Sequence, residues 1–214
     1  MNSTVDIPGM QQMDAETFDV IVIGAGLSGV GTAVRLQRDC PDRDFILLER
    51  REAIGGTWDL FRYPGIRSDS DMHTLGYDFK PWEAEKTIAD GPSILSYVNE
   101  TADEYRIRER IRFSQKLIAA DWSSERSQWQ LTVETPDGIR RYRCGFLMMC
   151  AGYYSYDQGY EPEFEGKASF SGEWVHPQFW PENLDHTDKT VVVIGSGATA
   201  MTLVPNMARR AKKV

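Results

Sequence analysis

Two short glycine-rich turns hold the residues whose types and spacing have the clearest chemical use. The first is Gly24-Ala25-Gly26-Leu27-Ser28-Gly29, and the second is Gly195-Ser196-Gly197-Ala198-Thr199-Ala200. In a G-x-G-x-x-G/A turn the first glycine permits a tight bend and the second lets the backbone approach a pyrophosphate. The third lets helix and strand pack closely, and N–H groups at the helix start face the phosphates. Alone the pattern is weak, because glycine-rich turns are common. Glu49 strengthens the first turn, since it lies about 20 residues beyond Gly29. A carboxylate there accepts hydrogen bonds from a ribose and repels a 2′-phosphate, so this turn suits FAD or NAD and not NADP. A plain glycine turn with a capping glutamate is the alternative. The selector residue for the second turn would lie beyond Val214, which leaves NAD and NADP open there. Two such turns in one chain point to a flavin and a nicotinamide brought face to face for hydride transfer.

Other chemically capable residues are less decided. Arg62 and Asp69 lie in the loop GGTWDLFRYPGIRSDSDM, Gly55 to Met72. Arg62 is equally open to a simple pairing with a carboxylate, Asp69 to a turn or cap, and Trp58 and Tyr63 to core packing. His176 lies in FSGEWVHPQFWP, Phe170 to Pro181, and the three histidines and three cysteines of the chain show no zinc-ligand spacing. Cys40, Cys144 and Cys150 form no C-x-x-C pair, which argues against a dithiol flavin reductase and against a disulfide framework. Cys150 reads as a small buried residue rather than a nucleophile. Arg209, Arg210, Lys212 and Lys213 read as a solvated helix end favoured by the macrodipole.

The elements that must position these groups follow from periodicity. FDVIVIG (18–24) is a short apolar run that suits a strand buried on both faces, and residues 27–38 follow a helical pattern. DFILLER (44–50) is a second buried strand, completing a right-handed parallel strand-helix-strand unit. Residues 51–90 are irregular, as ligand-wrapping loops often are. Residues 93–105 suit a helix capped by Ser93. Ile111–Trp122, Trp129–Glu134 and Ile139–Arg143 alternate as a three-stranded antiparallel meander. FLMMCAG (146–152) suits a further buried parallel strand, and Thr190–Ile194 opens a second strand-turn-helix. The fold class expected is α/β: a Rossmann-like parallel sheet with an antiparallel meander, followed by the start of a second Rossmann domain. The domains expected are a disordered leader at 1–17, a first domain at 18–160, a linker at 161–188 and a truncated second domain at 189–214.

A net charge of −8 argues against a nucleic-acid partner, which a basic face would attract. The N-terminus has neither the apolar nor the basic features of a secretory or transit signal, and no apolar run approaches membrane-spanning length. A cytoplasmic location is expected, with peripheral membrane association left open.

The Gly55–Met72 loop resembles the flavin loop of class B flavoprotein monooxygenases. FSGEWVHPQFWP matches the Baeyer–Villiger fingerprint F-x-G-x-x-x-H-x-x-x-W-P at Phe170, Gly172, His176, Trp180 and Pro181. The likeness runs from about residue 18 to 214. Departures are mild: Phe61 stands where Asn is common, and Cys150-Ala151-Gly152 where Ala-Thr-Gly is usual. The resemblance implies FAD and NADPH as cofactors, dioxygen as co-substrate, and a ketone, thioether or amine as substrate, oxygenated through a C4a-peroxyflavin. It implies FAD contacts from Gly24, Gly26, Ser28, Gly29, Glu49, Gly56, Thr57, Trp58, Asp59, Leu60, Asp69, Gly152 and, through its backbone, Leu117. It implies NADP contacts from Arg67, Ser68, Asp69 and Gly195, Ser196, Gly197, Ala198, Thr199 and Ala200. Asp69 and Arg62 would support catalysis. Phe170, Gly172, His176 and Trp180 would form a hinge between two cofactor domains, and no metal is implied. Family members run to more than twice this length, with the main catalytic arginine in the C-terminal part. An enzyme incomplete in this chain is therefore expected, with a non-catalytic FAD-binding remnant as the alternative.

Overall fold

A computed structural model describes residues 15–214. Of the expected leader, residues 1–14 lie outside the described residues, while Glu16 and Thr17 already belong to a strand. The chain divides into two compact units, each built from separate stretches. One combines the residues up to Ala53 with Arg106–Cys150, and the other combines Ile54–Tyr105 with Ala151–Val214. The stretch expected as one domain, 18–160, is thus shared between both units.

The first unit is a six-stranded mixed sheet. Its elements are β1 (Glu16–Ile23), α1 (Leu27–Asp39), β2 (Phe45–Leu48), β3 (Ile111–Arg112), β4 (Lys116–Ser123), β5 (Gln128–Thr135) and β6 (Gly138–Met149). The strand order is β3-β2-β1-β6-β5-β4. β1 runs parallel to β2 and β6, and β2 parallel to β3, whereas β4, β5 and β6 are antiparallel. This is the expected Rossmann-like sheet with its meander. Two boundaries differ from the expectation. Ile111–Arg112 is not the start of β4 but a separate parallel strand. Ile139–Arg143 and Phe146–Met149 are not two strands but one. β6 pairs antiparallel with β5 through Ile139–Cys144 and parallel with β1 through Tyr142–Met149.

One sheet face buries Ile21, Ile23, Ile46, Leu48, Leu131, Val133, Tyr142 and Cys144 in a single cluster. Burial pushes the Cys144 thiol up to about 11, so it is a core residue and not a nucleophile. α1 contacts β1 and β2, burying Val30, Ala33 and Val34. The last part of β6 departs from its expected burial: Phe146 is 70% exposed and Met149 61%. A parallel strand is buried where helices cover both faces. Arg112 holds Glu16 through both carboxylate oxygens, at 2.9 and 2.7 Å, and donates to the Tyr142 hydroxyl at 3.1 Å. These bonds tie β1, β3 and β6 together, and they hold the Glu16 carboxyl below its usual range.

The second unit holds α2 (Thr57–Leu60), α3 (Met72–Leu75), α4 (Gly91–Glu104) and α5 (Ala198–Met207) among irregular chain. Ser93 does not cap α4. Asp90 does, accepting from the Ser93 N–H at 2.9 Å and the Ser93 hydroxyl at 2.8 Å. Pro92 explains the earlier start, because proline suits the first turn, where its missing N–H has no partner to lose. The Ser93 amide and hydroxyl hold the Asp90 carboxyl below its usual range. With a lowered folded value, the stabilisation is present above the unfolded carboxyl range and is lost as pH falls through the folded value. Asp90→Ala should therefore lower stability by about 1 kcal/mol at neutral pH. The difference should shrink below about pH 4. Urea unfolding at pH 7 and pH 3 checks both; equal stability at pH 7 would remove the cap from the account.

Thr190–Ile194, expected as a strand, forms no ladder among the described residues. A single parallel bridge joins Thr190 to Lys213, with the Val191 N–H donating to Lys213 at 2.8 Å. Val191 and Val193 pack with Phe61, Tyr63, Leu203, Met207 and Trp180, while Val192 is 80% exposed and Ile194 63%. The apolar alternation is real, but a strand needs neighbours to pair with. Arg209 and Arg210 are exposed just beyond α5, as expected of a solvated helix end.

Candidate functional site: the glycine turns and the fingerprint

In the first unit, β1 delivers the chain into the first turn. Gly24 adopts φ 102°, which an L side chain resists, and its N–H donates to Leu48 at 2.8 Å. Gly26 opens α1 without a side-chain cap. Gly29 lies against the turn so closely that a Cβ there would fall 1.9 Å from the Gly24 carbonyl oxygen. Glu49 follows β2 and is 3% exposed. Its Oε2 accepts the Ala25 N–H at 2.7 Å, and its Oε1 the Arg51 N–H at 2.9 Å. Its own backbone is fixed on both sides, the N–H donating to Arg112 at 2.9 Å and the carbonyl accepting from Gln115 at 2.8 Å. The carboxylate therefore spans from the strand end to the turn, with lone pairs left for ribose hydroxyls. A tight turn, a helix start without a side-chain cap and a fixed carboxylate fit a dinucleotide with an unphosphorylated ribose.

Leu117 pairs with Val133 at the edge of a β-bulge, where the register slips before Ala119. A bulge breaks the ladder locally and redirects backbone groups, which suits the backbone contact expected there. Cys150 continues alongside β1, its N–H donating to Ile23 at 2.8 Å, with its sulfur 3.6 Å from the Thr32 hydroxyl.

In the second unit, Gly56 precedes α2. Asp59 is buried, and Arg62 reaches back to it, Nη2 to Oδ1 at 2.8 Å and Nε to the carbonyl at 3.2 Å. Arg62 is thus ion-paired with Asp59. Tyr63 and Phe61 are core aromatics, edge-on at 6.0 Å, while Trp58 is half-buried. Arg67 forms an isolated antiparallel bridge with Asp90, with the Ser68 N–H donating to Ala89 at 2.9 Å and the Gly91 N–H to Ile66 at 2.9 Å, and Asp69 follows in a bend. Extended chain alternates its side chains. Arg67 and Asp69 are exposed, but Ser68 points inward and its hydroxyl accepts the Ala89 N–H at 3.2 Å. The Ser68 hydroxyl is thus engaged with the Ala89 backbone. Arg67 borders an open groove of about 540 Å³ with Ile66, Lys86, Asp90 and Asn206. The Tyr154 phenol is pushed up to about 12, chiefly by its hydrogen bond with Tyr153 and then by burial, with the Asp69 charge adding to the effect. Gly152 is exposed, at φ 69°.

The second turn is open to solvent from Gly195 through Ala198, and Gly197 starts α5 by accepting the Met201 N–H at 3.1 Å. Thr199 and Ala200 are half-buried in the first turn of that helix.

The fingerprint splits into two anchored halves. Phe170 folds over Gly172 and meets Trp174 at 6.4 Å, while Phe164 meets Trp174 at 5.3 Å. Lys167 lies 5.0 Å over the Trp174 ring and pairs with Glu161. Beyond Val175, the His176 Nδ1 accepts the Gln178 N–H at 3.2 Å, and Trp180 joins the Phe61–Tyr63 cluster. Gln178 is buried, at a variable position of the fingerprint where no sequence signal singles it out. Among the described residues, no His, Cys, Asp and Glu group is placed to hold a metal, and no helix is long and apolar enough to cross a membrane.

The family described as NAD(P)-binding Rossmann-like domain matches residues 22–84, which include the first turn and Glu49. The FAD-containing monooxygenase EthA of Mycolicibacterium smegmatis is 55% identical over 192 residues, covering 90% of this chain and 39% of the relative. The structure of oxidised steroid monooxygenase bound to NADP is 32% identical with a TM-score of 0.78, covering 92% of this chain and 37% of that one. The OTEMO complex with FAD and NADP is 31% identical with a TM-score of 0.76, covering 93% and 38%. The chain spans about two-fifths of the length of the curated relatives it matches. By sequence and fold together, the chain is similar to the N-terminal part of FAD-containing monooxygenases.

Proposed function

We propose that this chain forms the FAD-binding region, and the opening of the nicotinamide-binding region, of an NADPH-dependent flavin monooxygenase. Its substrate would be a ketone, oxidised in the Baeyer–Villiger manner, or a thioether or amine oxygenated at sulfur or nitrogen, with dioxygen as co-substrate. The observation that carries this reading is the Glu49 carboxylate bonded at 2.7 Å to the Ala25 N–H inside the first glycine turn. The matched structures bound to FAD and NADP support the choice of cofactors.

Bound FAD, reduced by NADPH, supplies electrons to dioxygen, a chemistry that no side chain performs alone. The residues here bind and orient. In the first unit, the Gly24, Gly26, Ser28 and Gly29 backbone would hold the pyrophosphate, Glu49 the adenosine ribose, and the Leu117 backbone the adenine. In the second unit, Gly56, Thr57, Trp58, Asp59, Leu60 and Gly152 would contact the flavin portion. Arg62 keeps the buried Asp59 carboxylate fixed. Arg67 and Asp69 would face the nicotinamide, and Gly195 to Ala200 would take the second pyrophosphate. Phe170, Gly172, His176 and Trp180 would act as the hinge.

FAD titration tests the reading. The purified chain should be yellow, or become so with about one equivalent of FAD, with the flavin released on denaturation. Colourless protein that ignores added FAD would sink it. A second reading, FAD binding without turnover, rests on the same Glu49–Ala25 bond, which serves a bound dinucleotide whether or not oxygenation follows. NADPH oxidation that rises with added ketone or thioether would rule that out.

A further inference from the structure

Resting on the reading of the fingerprint as a hinge, we infer that Ser155–Gly159 is the dock for its second half, with Gly159 and Gln178 as the positioning residues for His176. Three observations converge on this segment. A Cβ built on Gly159 would fall 2.1 Å from the His176 Cε1, 2.4 Å from Nε2 and 2.6 Å from Nδ1. The imidazole therefore lies flat on a backbone that only a hydrogen atom can face. Gln178, 4% exposed, donates its side-chain N–H to the Ser155 carbonyl at 2.6 Å. Its backbone N–H donates to the His176 Nδ1 at 3.2 Å, which starts the turn Pro177–Phe179. With Nδ1 accepting, the neutral ring carries its proton on Nε2.

The dock holds only one half of the fingerprint. Phe170 to Trp174 are tied to Phe164 and Lys167, whereas His176 and Gln178 are tied to 155–159. Val175 alone joins the two. A displacement of Ser155–Gly159 therefore carries His176 with it without unpacking Trp174.

The test uses the whole chain and two variants. Gly159→Ala forces the imidazole off its seat. Gln178→Glu keeps size and shape but removes the donor to Ser155. Two quantities are read: hydrogen exchange at the residue-178 amide, and the ring-nitrogen signals of His176. Amide exchange should accelerate about tenfold in each variant, the loss of roughly one buried hydrogen bond. The His176 ring should move from a fixed Nε2–H tautomer to the averaged signals of an imidazole free in solvent, which a general loosening of the core would not single out. Protection in α4 and in the β1–β6 pair should be unchanged. If Gly159→Ala fails to fold, Gln178→Glu decides alone. Unaltered exchange and unaltered ring signals in Gln178→Glu would overturn the inference. Neither quantity depends on FAD, so a chain that fails to bind FAD refutes the proposed function and leaves this test intact.

Discussion

Gly29→Ala should abolish FAD binding and lower stability by about 3 kcal/mol, the upper end of the range for overpacked sites. The added methyl would fall 1.9 Å from the Gly24 oxygen and 2.9 Å from its carbon. Both atoms are backbone, so no rotamer change relieves the clash. Nor can the turn retreat, because the Gly24 N–H is bonded to Leu48. α1 must move instead, and with it the buried Val30, Ala33 and Val34. Alanine is the better helix former by about 1 kcal/mol, which offsets only part of the strain. Urea unfolding and FAD titration measure the two effects. Wild-type stability with wild-type affinity would mean that helix and turn are not packed as described.

Glu49→Ala should have the next largest effect. Glu49 is buried, and its two oxygens accept from different parts of the backbone, Ala25 in the turn and Arg51 beyond β2. Truncation strands both donors, at about 1–3 kcal/mol for each that finds no water. FAD affinity should fall at least about tenfold, because the turn loses its anchor and the ribose its acceptor. Glu49→Gln should recover only part of this. Its single oxygen serves one amide, while its NH₂ faces the other donor. A glutamine variant with full affinity would show that the carboxylate charge is irrelevant and that shape alone matters.

Much of the fold was legible because local signals agreed with global packing. FDVIVIG, the glycine turn and the helix after it each point to the same unit, and they form it at nearly the expected boundaries. What was not legible depended on neighbours. β6 looks like two strands because its first half alternates beside β5 while its second half is continuously apolar beside β1. Nothing in the sequence marks the change of partner. Thr190–Ile194 has the composition of a strand, but composition cannot supply a ladder. At the candidate site, Glu49 was found from its spacing to the turn. The inward Ser68 and the Asp59–Arg62 pair were not decided, because each depends on which chain segment lies opposite. Gly159 was invisible for the same reason: its partner, His176, is brought to it only by the folded linker.

The double pairing of β6 also sets a timetable for synthesis. β1 finds β2 early, but its other flank stays bare until residues 142–149 leave the ribosome. At 5–20 residues per second that wait is on the order of ten seconds. For that interval an apolar strand presents an unpaired edge in the crowded cell, a template on which a neighbouring nascent chain can add itself. The β1–β6 pairing, at the centre of the strand order, is thus the last seam to close and the one most in need of a chaperone.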